Sequence, residues 1–139
     1  MNHLNFYVSN RKVFLLLLIS TIFLNACEEK FNHQDPKLFN AQLALNNSIE
    51  SPEGLIKHYY QLSDEVESHK ITITTELLGN AKYSITLIHD YLTDDSQKAK
   101  KIILIASKEK RHWYVHNIKT NFKCWPNRGH QRWGITPCE

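Results

Sequence analysis

The chain has 139 residues, of which 42% are hydrophobic and 22% are charged, with a formal net charge of +3. This length provides one small domain with its own hydrophobic core. Four unclustered glycines exclude a phosphate-binding glycine loop, and the chain lacks the G-x-S-x-G motif of serine hydrolases.

The first 27 residues contain the clearest pattern of the chain. Arg11 and Lys12 precede a twelve-residue apolar run, Val13–Leu24, which is followed by the tetrapeptide Leu24–Cys27. A transmembrane helix needs roughly 20 apolar residues, whereas the hydrophobic part of a signal peptide needs only about 7–15. The pattern therefore predicts a signal peptide over residues 1–26.

Leu24-Asn25-Ala26-Cys27 resembles the lipobox of bacterial lipoproteins, although Asn25 stands where that family usually has a small residue. The resemblance implies cleavage before Cys27, a diacylglycerol on its sulfur, and attachment to a membrane without spanning it. In this family an Asp after the cysteine often retains the protein in the inner membrane, and this chain has Glu28. We therefore expect attachment to the outer membrane, facing the periplasm; the alternatives are an uncleaved anchor and ordinary secretion.

Charge is distributed unevenly along the predicted mature chain. Residues 27–97 carry five cations and twelve anions, and residues 98–139 carry ten cations and two anions. One interpretation is that the two parts neutralise each other across a single fold. The other is a basic face that attracts an anionic partner in the cell envelope.

Residues 27–35 are polar and predict a tether, followed by a single domain over residues 36–139. Asp35-Pro36 is a helix-start signal, and the predicted short helix has Leu38, Phe39 and Leu45 along one side. Ser51-Pro52-Glu53 is a second start signal. The apolar spacing after it predicts a helix of about four turns with one buried stripe, formed by Leu55, Tyr59, Leu62 and Val66.

After His69 the apolar period changes from helical to alternating. The pattern predicts a hairpin around Gly79-Asn80, a polar turn at residues 93–96, a central strand around Lys101–Ala106 and a last strand from His112 that continues through Phe122. The predicted fold class is therefore α+β, with one or two N-terminal helices packed on a four-stranded antiparallel meander.

Cys124 and Cys138 are the only cysteines besides Cys27. Export places them in an oxidising compartment, where a pair of cysteines usually forms a disulfide. The alternative is a metal site that includes His130, but zinc requires a fourth ligand and closely spaced pairs, which the sequence does not show. We expect no bound metal and no cofactor.

The C-terminal loop contains the densest set of candidate binding residues, which are Trp125, Arg128, His130, Arg132 and Trp133. Their cationic and aromatic side chains can bind an anionic sugar, a phosphate or an acidic protein loop. The alternative is that the tryptophans cover the sheet edge and Arg128 pairs with the acidic part of the chain.

The pattern Cys124-x-Pro126-x-Arg128-Gly129-His130-x-x-Trp133, ending in Cys138, resembles the C-terminus of small uncharacterised bacterial envelope proteins, which usually have glycine at the position of Asn127. The resemblance implies a shared disulfide-closed ending and no activity.

His112 and His116 have a spacing that forms a zinc pair on a helix, but on the predicted strand they lie about 13 Å apart, too far for one metal ion to bridge them.

Taken together, these patterns predict a lipid-anchored envelope protein with a non-enzymatic binding or structural role. Its expected partners are the membrane, through Cys27, and an envelope protein or an anionic cell-wall polymer, but not nucleic acid. The alternative function is a small envelope hydrolase that uses His130 and Arg128.

Overall fold

The computed structural model describes residues 28–45, 48–62 and 70–139. The elements in chain order are β1 (Asn32–Gln34), α1 (Lys37–Leu45), α2 (Pro52–Tyr60), β2 (Ile71–Gly79), β3 (Lys82–Asp90), β4 (Gln97–Glu109) and β5 (His112–Cys124). The predicted signal peptide and the predicted lipidation site, Cys27, lie outside the described residues. Within the described ranges, no helix is long and apolar enough to cross a bilayer.

The strands form one antiparallel sheet in the order β1-β5-β4-β3-β2, so the α+β prediction is confirmed. The predicted meander corresponds to β2 through β5. The predicted strand count was wrong, because the sheet has five strands and not four. The additional strand, β1, lies inside the predicted tether and pairs with residues 118–120 of β5. A strand of three exposed polar residues has no alternating pattern, so no sequence signal predicts it.

The hydrophobic core lies between the two helices and one face of the sheet. Its buried members are Phe39, Leu43, Ile49, Leu55 and Ile56 on the helical side and Ile85, Leu87, Ile102, Leu104, Ala106, Trp113, Val115 and Ile118 on the sheet. The side chains of Ile103 and Ile105 alternate with these on β4 and point to the opposite face, where they are half-buried. We call the face opposite the helices the helix-free face.

Helix α1 begins as predicted but buries a different side. The Asp35 side chain accepts a hydrogen bond from the backbone N–H of Lys37 at 2.9 Å, which satisfies one free donor of the first turn. Phe39 and Leu43, four residues apart, are buried, whereas Leu38 and Leu45 are 81% and 91% exposed. The predicted apolar side was therefore wrong for Leu38 and Leu45.

Helix α2 also begins as predicted and is shorter than the four turns expected. Ser51 Oγ accepts a hydrogen bond from the backbone N–H of Gly54 at 3.0 Å. The helix ends at Tyr60 because Gln61 adopts a left-handed conformation with φ of 53° and donates its N–H back to the His58 carbonyl. Leu62, predicted to belong to the buried stripe of this helix, therefore lies beyond its end. Residues 63–66 of the predicted continuation lie outside the described residues.

A side-chain pair joins α2 to β3. The Tyr60 hydroxyl lies 2.7 Å from His89 Nδ1, and the two rings meet edge to face. Burial, reinforced by the charge of Lys70, lowers the pKa of His89 below its usual 6.5, and Asp90 acts in the opposite direction. The folded protein therefore favours the neutral imidazole.

The outer edge of β5 extends beyond the short strand β1, and Asn40 of α1 covers part of that extension. The Asn40 side chain donates to the Val115 carbonyl at 2.8 Å and accepts from the Val115 N–H at 2.8 Å. Val115 is fully buried, so water cannot replace these two bonds. One side-chain amide therefore takes the place of a neighbouring strand.

We predict that Asn40→Ala lowers the free energy of unfolding by about 2 kcal/mol, because it leaves a buried N–H and a buried C=O without partners. Chemical denaturation measures the change. The matched control is Gln42→Ala on the exposed side of the same helix, for which we expect a change within about 0.5 kcal/mol. Equal effects of the two substitutions would contradict the assigned role of Asn40.

We predict that the Tyr60–His89 pair makes stability depend on pH. The pKa of His89 is lowered in the folded state, so the unfolded state binds more protons as the pH falls below 6.5. Stability from this pair is thus present above pH 6.5 and decreases as the pH falls. Denaturation from pH 5 to pH 8 should show a smaller decrease for His89→Gln than for the native protein, whereas parallel profiles would refute the assignment.

Candidate functional site

The C-terminal loop is closed by the predicted disulfide. Cys124 and Cys138 are bonded, with 14 residues of sequence separation, and in the chain-entropy model such a link contributes about 3 kcal/mol. Because both sulfurs are in the disulfide, neither is a thiolate ligand for the alternative metal site. Pro126 and Asn127 occupy the middle of a tight turn, as predicted, with the Arg128 N–H donating to the Trp125 carbonyl.

Two glycines and a histidine determine the course of the rest of the loop. Gly129 has φ of +136°, and a Cβ there would lie 2.9 Å from Cys124 Sγ. His130 lies between two backbone carbonyls, with Nδ1 at 2.7 Å from the Arg132 oxygen and Nε2 at 2.8 Å from the Thr136 oxygen. Gly134 then pairs with Phe122 and returns the chain to the edge of β5. The imidazole of His130 therefore stabilises the loop through contacts with the loop's own backbone.

The predicted loop residues do not form one surface. Trp125 packs against Tyr91, with ring centroids 6.2 Å apart, and Lys98 Nζ lies 5.9 Å from its ring. Trp133 contacts two other lysines, Lys101 and Lys123. Arg128 is exposed and donates to the Glu139 carbonyl at 3.4 Å. Only Trp133, His130 and Arg132 line the same depression.

Trp133 lies over lysines of the helix-free face. Lys101 Nζ is 4.3 Å and Lys123 Nζ is 4.6 Å from the centroid of its ring. Ammonium groups at this distance are attracted to the electron-rich face of an indole. Lys119 lies beside a second aromatic ring, with its Nζ 5.9 Å from the centroid of Phe31.

The N-terminal segment is fastened to the same face by Glu29. Lys101 donates to Glu29 Oε1 at 2.6 Å, and Asn121 donates to the same oxygen at 2.8 Å and to the Lys30 carbonyl at 3.0 Å. Burial raises the pKa of Glu29, but the hydrogen bonds from Lys101 and Asn121 outweigh it, so the net pKa is lowered. The carboxylate is therefore ionised at neutral pH. Asn121 is fully buried, and its Oδ1 has no partner among the described residues.

A shallow basic groove runs between these two parts of the chain. It consists of two adjoining depressions of about 660 and 560 Å³, which share Glu28, Glu29, Lys30 and Ile135. Trp133 and Lys123 line the larger depression, and Phe31 and Lys119 line the smaller. With Lys101 beneath it, the groove has five cationic side chains and two carboxylates, Glu28 and Glu29. The cations are Lys30, Lys101, Lys119, Lys123 and Arg132. Its excess of positive charge suits an anionic ligand.

The candidate residues predicted from the sequence include His130, Arg132 and Trp133 of this basic groove, but not Phe31, Lys119 or Lys123. Phe31 was assigned to the tether and Lys119 to the last strand, and Lys123 follows the predicted end of that strand. Their proximity depends on the pairing of β1 with β5, which the sequence did not indicate. One signal was available: the sixteen residues from Lys108 to Lys123 contain five of the basic part's cations. The ion pair of Lys101 with Glu29 agrees with neutralisation between the two parts of the chain. The attraction of an anionic partner to the basic part stays a prediction.

The histidines of β5 do not form a recognisable site. His112 and His116 are exposed, and His116 Nε2 lies 2.9 Å from Ser107 Oγ. Across residues 28–45, 48–62 and 70–139, no group of three or more His, Cys, Asp and Glu side chains is placed to hold a metal ion. The chemistry that the basic groove offers is charge attraction and aromatic packing.

We predict that Gly129→Ala destabilises the protein by about 1–3 kcal/mol more than Gly79→Ala. Both glycines have positive φ, but nothing lies within 4 Å of a Cβ at position 79. The difference in destabilisation between the two variants therefore measures the steric clash of the new Cβ at position 129 with the disulfide. Thermal unfolding of the oxidised proteins measures it, and equal losses would show that Gly129 does not pack on Cys124 as described.

Comparisons of the chain with protein-family models, with curated protein sequences and with solved structures found no match.

Proposed function

We propose that this protein is a lipid-anchored component of the bacterial cell envelope that binds an anionic partner without catalysing a reaction. The anchor is the lipid on Cys27, after removal of residues 1–26, and we assign the mature protein to the outer membrane, facing the periplasm. The lipobox-like sequence Leu24–Cys27 supports the anchor. The basic groove supports the binding role.

The observation that carries the binding role is the placement of Trp133 over Lys101 and Lys123. Both ammonium groups lie within 4.6 Å of the indole centroid. Glu29 neutralises Lys101, whereas Lys119 and Lys123 border the groove with aromatic neighbours. Two cations and two aromatic rings at one shallow groove suit a phosphate-bearing or carboxylate-bearing partner.

The alternative, a small hydrolase that uses His130 and Arg128, has weaker geometric support. A general base needs a ring nitrogen that can reach a substrate proton. Both ring nitrogens of His130 lie within 2.8 Å of backbone carbonyl oxygens. Arg128 is directed to the Glu139 carbonyl instead of to His130.

We predict that Cys27→Ser abolishes incorporation of a labelled fatty acid and releases the protein from the membrane fraction, because the thioether to diacylglycerol cannot form. Fatty-acid labelling in cells followed by fractionation measures both effects. The matched control is the Cys124→Ser, Cys138→Ser double variant, which should keep the label. A native protein without label would contradict the anchor.

We predict that the double variant Lys119→Gln, Lys123→Gln binds inorganic polyphosphate about 10- to 30-fold more weakly than the native chain, since each lysine near an anionic surface contributes about 1 kcal/mol. The control is Lys82→Gln, Lys110→Gln, which removes two exposed lysines, one at the start of β3 and one in the turn before β5, and should change the affinity less than about twofold. Titration calorimetry with the lipidated protein in neutral detergent measures the affinities. Equal weakening by both variants would mean that the groove is not the binding site.

A further inference from the structure

The basic groove lies where the folded domain meets the predicted anchor. Glu28 borders both depressions, and it directly follows Cys27 in the sequence. One peptide link therefore separates the groove from the residue that would carry the lipid. Since consecutive Cα atoms are about 3.8 Å apart, the lipid anchor would hold the groove within a few ångströms of the headgroup layer.

The side chains that border the groove have the chemistry of a membrane interface. Tryptophan is enriched at the level of lipid headgroups, where an amphipathic ring contacts both apolar and polar groups. Lysine and arginine beside a membrane are attracted to anionic lipids. The groove places Trp133 and Phe31 among Lys30, Lys119 and Lys123.

We infer that the basic groove docks on the anionic phospholipid headgroups of the same membrane that holds the lipid on Cys27. This inference rests on the proposed function and names the partner of its binding site. The anchor makes docking an intramolecular step, so individually weak contacts with phosphate groups suffice to orient the domain.

Docking in this way determines which surface of the domain faces away from the membrane. Phe31 and Trp133 lie over lysines of the helix-free face. A domain that rests on these two rings therefore turns the opposite face of the sheet, which α1 and α2 cover, towards the periplasm. The lipid alone would leave the orientation of the domain relative to the membrane undetermined.

The test uses the lipidated full-length protein in vesicles that contain phosphatidylglycerol with brominated acyl chains, which quench nearby tryptophans. The chain has three tryptophans, of which Trp113 is buried in the core and Trp125 packs on Tyr91. We expect the quenched fraction of the fluorescence to fall at least twofold in Trp133→Phe and not to fall in the matched control Trp125→Phe, which removes only unquenched emission. We also expect 1 M NaCl and the Lys119→Gln, Lys123→Gln variant to reduce quenching at least twofold.

The lysine variant keeps the inference testable if Trp133→Phe fails to fold, because it leaves all three tryptophans in place. Equal quenching by brominated phosphatidylcholine would overturn the inference, since it would show insertion without selection for anionic headgroups. Native protein that carries the lipid by mass spectrometry and binds polyphosphate, yet is not quenched, would overturn the inference and leave the proposed function intact. A chain without lipid and without affinity for polyphosphate would overturn both.

Discussion

The outer edge of β5 is the constraint on which the rest of this structure depends. β5 has thirteen residues, and its inner edge pairs with β4 along nearly its whole length. The N–H and C=O groups of the other edge also need partners wherever they are buried. Three separate pieces of chain supply these partners in turn: Asn40 at Val115, β1 at residues 118–120 and Gly134 at Phe122.

Covering this edge brings the beginning and the end of the described chain together. β1 precedes both helices, and Gly134 belongs to the disulfide-closed loop, yet both lie beside β5. Their flanking side chains, Phe31 and Trp133, therefore both lie near Lys101 of the helix-free face. The basic groove is thus a consequence of how the sheet edge is protected, and Glu29 strengthens it by pairing with Lys101 across the boundary between the acidic and basic parts of the chain.

Much of the fold could be predicted from local signals. Ser51 and Asp35 mark helix starts through their capping oxygens, and the alternation in β3 and β4 reflects a sheet with one buried face. β1 could not be predicted, because its three polar residues have no strand pattern of their own and pair with a segment far away in the sequence. The candidate site could be predicted from the sequence only in part, for the same reason. Trp133 is recognisable as a candidate from its neighbours in sequence, whereas its contact with Lys101 spans 32 residues and depends on tertiary structure.

A single extra residue in β5 determines that Lys119 and Lys123 lie on the same face of the sheet as Lys101. Ile105 is opposite Asn117 and Ala106 is opposite Val115, so His116 is the additional residue of a β-bulge. A bulge reverses the alternation of every later side chain relative to an uninterrupted strand. Trp113 and Val115 precede it and point into the core, whereas Lys119 and Lys123 follow it and point to the helix-free face with Lys101. Without the additional residue, these two ammonium groups would be directed into the hydrophobic layer beneath the helices, where unpaired charge is strongly disfavoured. The bulge therefore reconciles an apolar core and a cationic surface on one continuous strand.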